Sequence, residues 1–211
     1  MTHSDAYKTL ARWYDLTASR ALSPAYARIA ARCAARGFAH VLDFGCGTGF
    51  LAGMLREQGV RGVGLDASPT MLGRAVRTVR NKDGFLFVQG GVPLPFAASS
   101  FDAVILSLVL HESDEDPGLL LAEALRVAPV CLVLEWRMPE RNLDFPACFL
   151  NHAIERLMGK RHYARFRAFA AGGYLRGTAM RSGLLVTAEE PLLGGTLALA
   201  EVTRQVSVVR S

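Results

Sequence analysis

The segment Val41-Leu42-Asp43-Phe44-Gly45-Cys46-Gly47-Thr48-Gly49-Phe50 limits the possible folds more than any other part of the chain. An apolar strand ends in a carboxylate, enters a loop with glycine at every second position, and leaves it as a helix. Strand, tight turn and helix in that order open a βαβ unit, which requires a parallel sheet with crossover helices. Glycine at 45, 47 and 49 lets the backbone take positive φ and come close to a ligand. The free amides of the helix start, with their partial positive charge, suit a carboxylate or a phosphate.

The same alternation runs through most of the sequence. Ser23-Pro24 reads as a cap followed by proline, opening an alanine-rich helix to about residue 36, where Gly37 stops it. Strands are expected at 38–44, 60–66, 85–89, 101–109 and 130–136. Helices are expected at 49–58, at 69–79 behind the Ser68-Pro69 cap, and at 117–127 behind Asp116-Pro117. Strands with so few polar positions are covered on both faces, and each crossover is right-handed. The gap between strands three and four is too short for a helix. An extended segment of about ten residues still reaches roughly 33 Å, enough to step across two strands.

Beyond Arg137 the character changes. Residues 142–160 read as an amphipathic helix, and 161–171 are rich in arginine and aromatics. Gly172-Gly173 breaks the pattern before a short helix to about residue 181. Strands at 184–190 and 196–204 end the chain as a hairpin-like pair. The expected organisation is one α/β domain: an N-terminal helical cap (1–37, helical over 5–20), a core (38–136), a helical insertion (137–183) and terminal strands (184–211).

One domain agrees with 211 residues, and 51% hydrophobic against 20% charged residues excludes global disorder. The net charge of +5 permits an anionic ligand without requiring nucleic acid. Charge-free apolar stretches such as 103–110 and 191–200 fall far short of the roughly 18–20 residues of a membrane span. The polar N-terminus carries no apolar signal core. Cys33, Cys46, Cys131 and Cys148 form no CxxC pair and no metal-finger spacing, so they read as reduced thiols of a cytoplasmic protein. No compact His, Cys and carboxylate cluster along the chain calls for a metal.

The glycine spacing is not that of a dinucleotide site. Counted from Gly45, the third position of GxGxxG falls on Phe50. A GxxxxGK[ST] phosphate loop is also absent, and the pattern present is DxGxGxG. The second strand ends at Asp66, where a carboxylate accepts hydrogen bonds from both ribose hydroxyls. The combination favours a nucleoside ligand, since no lysine stands in the loop to meet a phosphate.

The run from Asp43 to Phe50, Gly64-Leu65-Asp66-Ala67-Ser68-Pro69-Thr70-Met71-Leu72, Leu94-Pro95-Phe96, and Ser100-Phe101-Asp102-Ala103-Val104 followed by Leu110-His111-Glu112 resemble one family. It is the class I S-adenosylmethionine-dependent methyltransferases, with the flavour of the small-molecule group that includes the ubiquinone and menaquinone C-methyltransferases. The resemblance covers about residues 38–136. It implies a doubly wound, mostly parallel, seven-stranded Rossmann-like sheet with an antiparallel C-terminal strand. It implies S-adenosylmethionine as cofactor, S-adenosylhomocysteine as product, and methyl transfer to an O, N or C nucleophile of a small molecule. By position, the loop of Gly45, Cys46, Gly47 and Gly49 passes under the methionine part, and Asp43 orients that part. Asp66 binds the ribose, Ala67 and Met71 flank the adenine, and Ser107 and Leu108 line the sulfonium end. The family usually presents an acidic residue to the adenine after strand three. Here Gln89-Gly90-Gly91-Val92-Pro93 leaves backbone around Gly91 and Val92, or Gln89, to substitute. Arg126-Val127-Ala128-Pro129 replaces the family's Lys-Pro-Gly-Gly turn, which is a structural difference.

His111 follows the fourth strand, where open α/β sheets place ligands, and an ordinary pKa of about 6.5 suits a general base. A wall residue is the other reading of it. Glu112 reads as a solvated carboxylate or as part of the acceptor pocket. Tyr7 and Tyr14 resemble cap positions that cover the cofactor in related enzymes, and equally read as core aromatics. Arg156, Lys160, Arg161, Arg165, Arg167, Arg176 and Arg181 stand in a stretch with no acidic residue, interleaved with Tyr163, Phe166 and Phe169. That is a solvated face with aromatics turned inward, or a cationic lid over an anionic acceptor, or a surface for acidic lipid heads. Nucleic-acid amino-methylating enzymes carry Asp/Asn-Pro-Pro-aromatic after strand four. Ser107-Leu108-Val109-Leu110 stands here instead, so DNA is not expected and RNA rests on the basic stretch alone. A cofactor-binding module without transfer activity is a second class, and a nicotinamide oxidoreductase, opposed by the glycine spacing, a third.

Overall fold

The computed structural model describes residues 20–79, 84–137, 152, 155–156 and 158–205. Seven strands form one sheet: β1 (His40–Phe44), β2 (Arg61–Asp66), β3 (Phe85–Gln89), β4 (Ala103–Ser107), β5 (Val130–Trp136), β6 (Leu184–Leu192) and β7 (Leu197–Arg204). Their order is β3-β2-β1-β4-β5-β7-β6, with β7 antiparallel to both neighbours. This is the doubly wound sheet expected. Among the described residues, six helices with both ends placed connect or cover it: α1 (Ser23–Ala35), α2 (Phe50–Glu57), α3 (Pro69–Thr78), α4 (Pro117–Val127), α5 (Lys160–Ala171) and α6 (Tyr174–Arg181).

The apolar strands are explained by burial on both faces. Leu42, Phe44, Val104 and Leu106 pack with α4 and α6 on one side. Val41, Ala103, Ile105, Leu132 and Leu134 pack with α1 and α2 on the other. Strand order reverses at β1, which pairs in parallel with both β2 and β4. Ligands of open α/β sheets bind at such a reversal, outside the carboxyl ends of the strands. Residues 90–102 cross β2 and β1 without a helix, as their length requires.

Ser68 and Asp116 cap α3 and α4 as expected, each side-chain oxygen accepting from the backbone amide three residues on. Ser23 does not cap α1. Residues 20–21 are already helical, so the chain needs no start signal there, and Leu22 takes the cap position with no side-chain bond. Strand β4 is shorter than expected because Leu108 turns to φ 58°. The helix expected over 5–20, with Tyr7 and Tyr14, lies almost entirely outside the described residues, as do Cys148 and most of 142–160. Helix α1 is tied to the antiparallel strands by charge. Glu201, 5% exposed, accepts from Arg32 at 3.0 Å and Arg36 at 2.5 Å, and Glu190 accepts from Arg28 at 2.6 Å. Among the described residues no helix is long and apolar enough to cross a membrane.

Candidate active site

A cleft of about 630 Å³ opens at the carboxyl ends of β1, β2 and β4, within the roughly 300–1,000 Å³ usual for small-ligand sites. Gly45, Gly47, Asp66, Ala67, Met71, Gly91, Val92, Ser107, Leu108 and Glu112 all line it. A smaller cavity beneath the glycine loop is lined by Asp43, Cys46, Gly45, Gly47, Ser107 and Tyr26. Segments from four strand ends thus meet in one place.

Two of the loop glycines face this space for different reasons. A side chain at Gly45 would strike Val109 at 2.5 Å, so the turn itself demands glycine. Gly47, at φ 53°, has nothing within 4 Å of where a side chain would be, so its surface is open to a ligand. Gly49 differs from the expectation. It heads α2 at φ 74° and packs toward Ala75 and Phe87, and it lines neither cavity. The close approach of α2 to α3 and β3 needs its hydrogen.

The Asp66 carboxylate joins the two loops. It accepts from the Gly47 amide at 2.9 Å and from the Ser68 amide at 2.8 Å. Asp43 lies deeper, 2% exposed, and its Oδ2 has no hydrogen-bond partner. Burial, and then the Asp66 charge, pushes the Asp43 carboxyl up to about 7. Ser107 Oγ is also buried and without a partner. Two unsatisfied oxygens under a backbone loop form a site that lacks its polar complement. Where the family has an acidic residue, the Gln89 amide instead donates to the Ala67 carbonyl at 3.3 Å. Every charged residue lining the cleft among the described residues is acidic: Asp66, Glu112, Asp114 and Glu115.

His111 stands behind the cleft wall, not in the cleft. It is 1% exposed, and its Nδ1 lies 2.7 Å from Glu135 Oε1. Burial works to lower its pKa, but the Glu135 carboxylate, with Glu112 and Glu155, pushes it up to about 9. His162 Nε2 bonds Glu155 Oε2, and Trp136 Nε1 donates to Glu155 Oε1 at 2.9 Å. Trp136, Phe166 and Phe169 surround His111 at ring distances of 6.0–6.4 Å. Sequence reading missed Glu135, Glu155 and His162 as partners of His111. Glu135 alone had a signal, as a lone carboxylate inside an apolar strand. It also missed Tyr26 and Leu22, which line the cleft from the start of α1 and carry no local mark.

The arginine-rich stretch forms α5 and α6. Phe166 and Phe169 turn inward, while Arg156, Lys160, Arg161 and Arg167 are exposed. Arg161 and Arg165 both pair with Asp114 at the cleft edge, and Arg165 also donates to the Glu112 carbonyl at 2.9 Å.

Residues 42–129 match the family model described as a methyltransferase domain. The chain is 35% identical over 127 residues to the malonyl-[acyl-carrier protein] O-methyltransferase of Serratia marcescens, covering 60% of this chain and 47% of that one. It is 37% identical over 71 residues to the 18S rRNA (guanine-N(7))-methyltransferase of Schizosaccharomyces pombe, covering 34% and 26%. Among solved structures it resembles NcsB1, an O-methyltransferase from neocarzinostatin biosynthesis in complex with S-adenosylmethionine and 2-hydroxy-5-methyl naphthoic acid. That likeness has a TM-score of 0.62 at 24% identity and covers 93% of this chain and 58% of the other. The chain spans half or less of the length of the curated relatives it matches.

Proposed function

This chain carries a class I S-adenosylmethionine-dependent methyltransferase domain, and from that premise we propose that it methylates a small-molecule nucleophile. The observation that carries the proposal is the pair of unpartnered buried oxygens, Asp43 Oδ2 and Ser107 Oγ, beneath the open backbone of Gly47. The cofactor brings an ammonium, a carboxylate and a ribose diol, and it supplies an electrophilic methyl on a sulfonium. Asp43 and Ser107 would hold the amino-acid end. Asp66 would accept from the ribose hydroxyls with the lone pairs its two backbone amides leave. Ala67, Met71, Gly91 and Val92 would enclose the adenine, and Leu108 the sulfonium end. Leu108 is held at positive φ by the hydrogen bond its amide donates to the Leu134 carbonyl at 2.8 Å, and it would form the wall against which methyl and acceptor align.

The acceptor would enter beside Glu112, Ser113 and Asp114. Where it must lose a proton, Glu112 is the group assigned to take it, because its half-exposed carboxylate lines the cleft while His111 does not. The N-terminal cap (1–37, with Tyr7 and Tyr14) and the insertion (137–183) would complete the pocket. Buried free thiols at Cys33, Cys46 and Cys131 support a reducing, cytoplasmic setting.

RNA is the second reading, favoured by the rRNA-modifying relative and the exposed arginines of α5. An all-acidic cleft lining opposes a polyanion at the methyl site, and a steep salt dependence of RNA affinity would reverse that preference. Calorimetry with S-adenosylhomocysteine tests the proposal. Binding in the micromolar range, followed by turnover on a small-molecule acceptor panel, supports it. Folded protein that gives no heat at millimolar ligand refutes it. Binding without turnover on any acceptor leaves a non-transferring module.

A further inference from the structure

We propose that His111, Glu155 and His162 form a binding site for a divalent transition metal of the zinc class. Their ligand atoms, one from each residue, all lie within 4.8 Å of one another. His111 Nε2 stands 3.6 Å from Glu155 Oε1. In a tetrahedral site with metal–nitrogen bonds of about 2.0–2.1 Å, donor atoms stand roughly 3.3–3.5 Å apart. The His111–Glu155 spacing needs only a small contraction on binding, while His162 Nε2 must release its hydrogen bond to Glu155 Oε2 and turn to the metal.

An independent observation points to a ligand. His111 is 1% exposed, and its Nε2 has no hydrogen-bond partner. The nitrogen is aimed into the cluster, toward Glu155 and, at 3.8 Å, toward Glu112 Oε1. The other ring nitrogen is already committed, because Glu135 Oε1 accepts from Nδ1 at 2.7 Å. A carboxylate behind a histidine orients the ring and strengthens it as a ligand once a metal displaces the Nε2 proton. Trp136 donates to the Glu155 carboxylate and fixes it in turn.

Two imidazoles and one carboxylate suit zinc, iron, cobalt or nickel more than magnesium or calcium, which prefer all-oxygen sets. The aromatic wall of Trp136, Phe166 and Phe169 keeps bulk water away. Three protein ligands leave a fourth position open, and Glu112, whose Oε1 stands 3.8 Å from His111 Nε2, lines the cleft nearby. A metal here would pin α5 to the segment after β4 and stand near the acceptor end of the cleft. The site is assembled from β5, α5 and the segments after β4 and before α5, and it stands apart from the cofactor reading.

The test uses the full chain, free of any histidine tag and stripped with a chelator. Zinc and cobalt are the probes. One equivalent of zinc retained after dialysis, a visible cobalt absorption band and a raised melting temperature are expected. His162→Ala, on the more exposed side of the site, should weaken zinc binding by at least about 100-fold, and Glu135→Gln by roughly 10–100-fold. Less than about a tenth of an equivalent of zinc with no cobalt band would overturn the proposal, leaving a metal-free charge network. So would zinc binding that His162→Ala and Glu155→Gln leave unchanged, since that metal would be adventitious. S-adenosylhomocysteine calorimetry on the same stripped protein reports the cofactor site separately, so the two readings fail independently.

Discussion

Two polar clusters lie close together in this molecule, and each leaves buried atoms without partners. Under the glycine loop, Asp43 and Ser107 each present an unsatisfied oxygen. Behind the cleft wall, His111 Nε2 and Glu135 Oε2 do the same. The first cluster is built from the carboxyl ends of neighbouring parallel strands, and its charge is negative. The second draws one residue each from four separate segments and sets two histidines against two carboxylates. The first is suited to a large cationic nucleoside, the second to a compact cation. Unsatisfied buried atoms thus mark sites of different chemistry, and the surrounding charge tells them apart.

The sharpest way to break this contrast is cross-substitution. Asp66→Ala should lower S-adenosylhomocysteine affinity by about 100-fold or more, because it removes two charge-assisted acceptors at once. Zinc uptake should be unchanged in that variant, as measured by metal analysis after dialysis. Loss of both would mean one coupled site. His162→Ala should give the opposite pattern, with zinc lost and S-adenosylhomocysteine binding within about twofold of the parent, since that histidine touches nothing in the cofactor cleft.

A subtler effect concerns Asp43. Its folded pKa is raised to about 7, so ionised Asp43 destabilises the empty protein. That cost is absent below the unfolded carboxylate pKa of about 4 and grows as pH rises toward 7. Asp43→Asn should therefore stabilise the empty protein at pH 8 by a few kcal/mol at most, seen as a higher melting temperature, with little change at pH 4. Affinity for the cationic cofactor should rise with pH between about 5 and 8 in the parent, and Asp43→Asn should flatten that rise. A parallel pH profile in both proteins would remove Asp43 from cofactor binding.

The smallest effect is expected far from both clusters. Arg28→Ala removes one exposed partner of Glu190 and should cost less than about 1 kcal/mol by denaturant unfolding. A larger loss would show that α1 is held by charge more than by Ile29, Ala30 and Cys33 against the sheet.

Local patterning carried most of the fold. Strands β3 and β5 run over the residues read from periodicity, and Ser68 and Asp116 cap their helices, because alternation and capping are short-range. Ser23 failed as a start signal because the chain was already helical before it. Strand β4 stopped early because Leu108 adopts a backbone angle that no composition rule foresees for leucine. Gly45, Gly47, Asp66, Ala67, Ser107 and Leu108, all at or just beyond strand ends, line the cleft, and Asp43 lies in the smaller cavity beneath. Gly49 lines neither cavity and faces Ala75 and Phe87 instead, because spacing along a loop does not reveal which way a residue faces.

The sequence by itself determined the parallel sheet, the helix-free crossing between β3 and β4 and the glycine turn with its two carboxylates. These follow from hydrophobic period and from backbone angles that only certain residues take. Only the tertiary structure decided that His111 turns away from the cleft toward Glu135, Glu155 and His162. That meeting depends on how α5 packs across the carboxyl end of β5, and contacts between residues far apart in the chain leave no local trace.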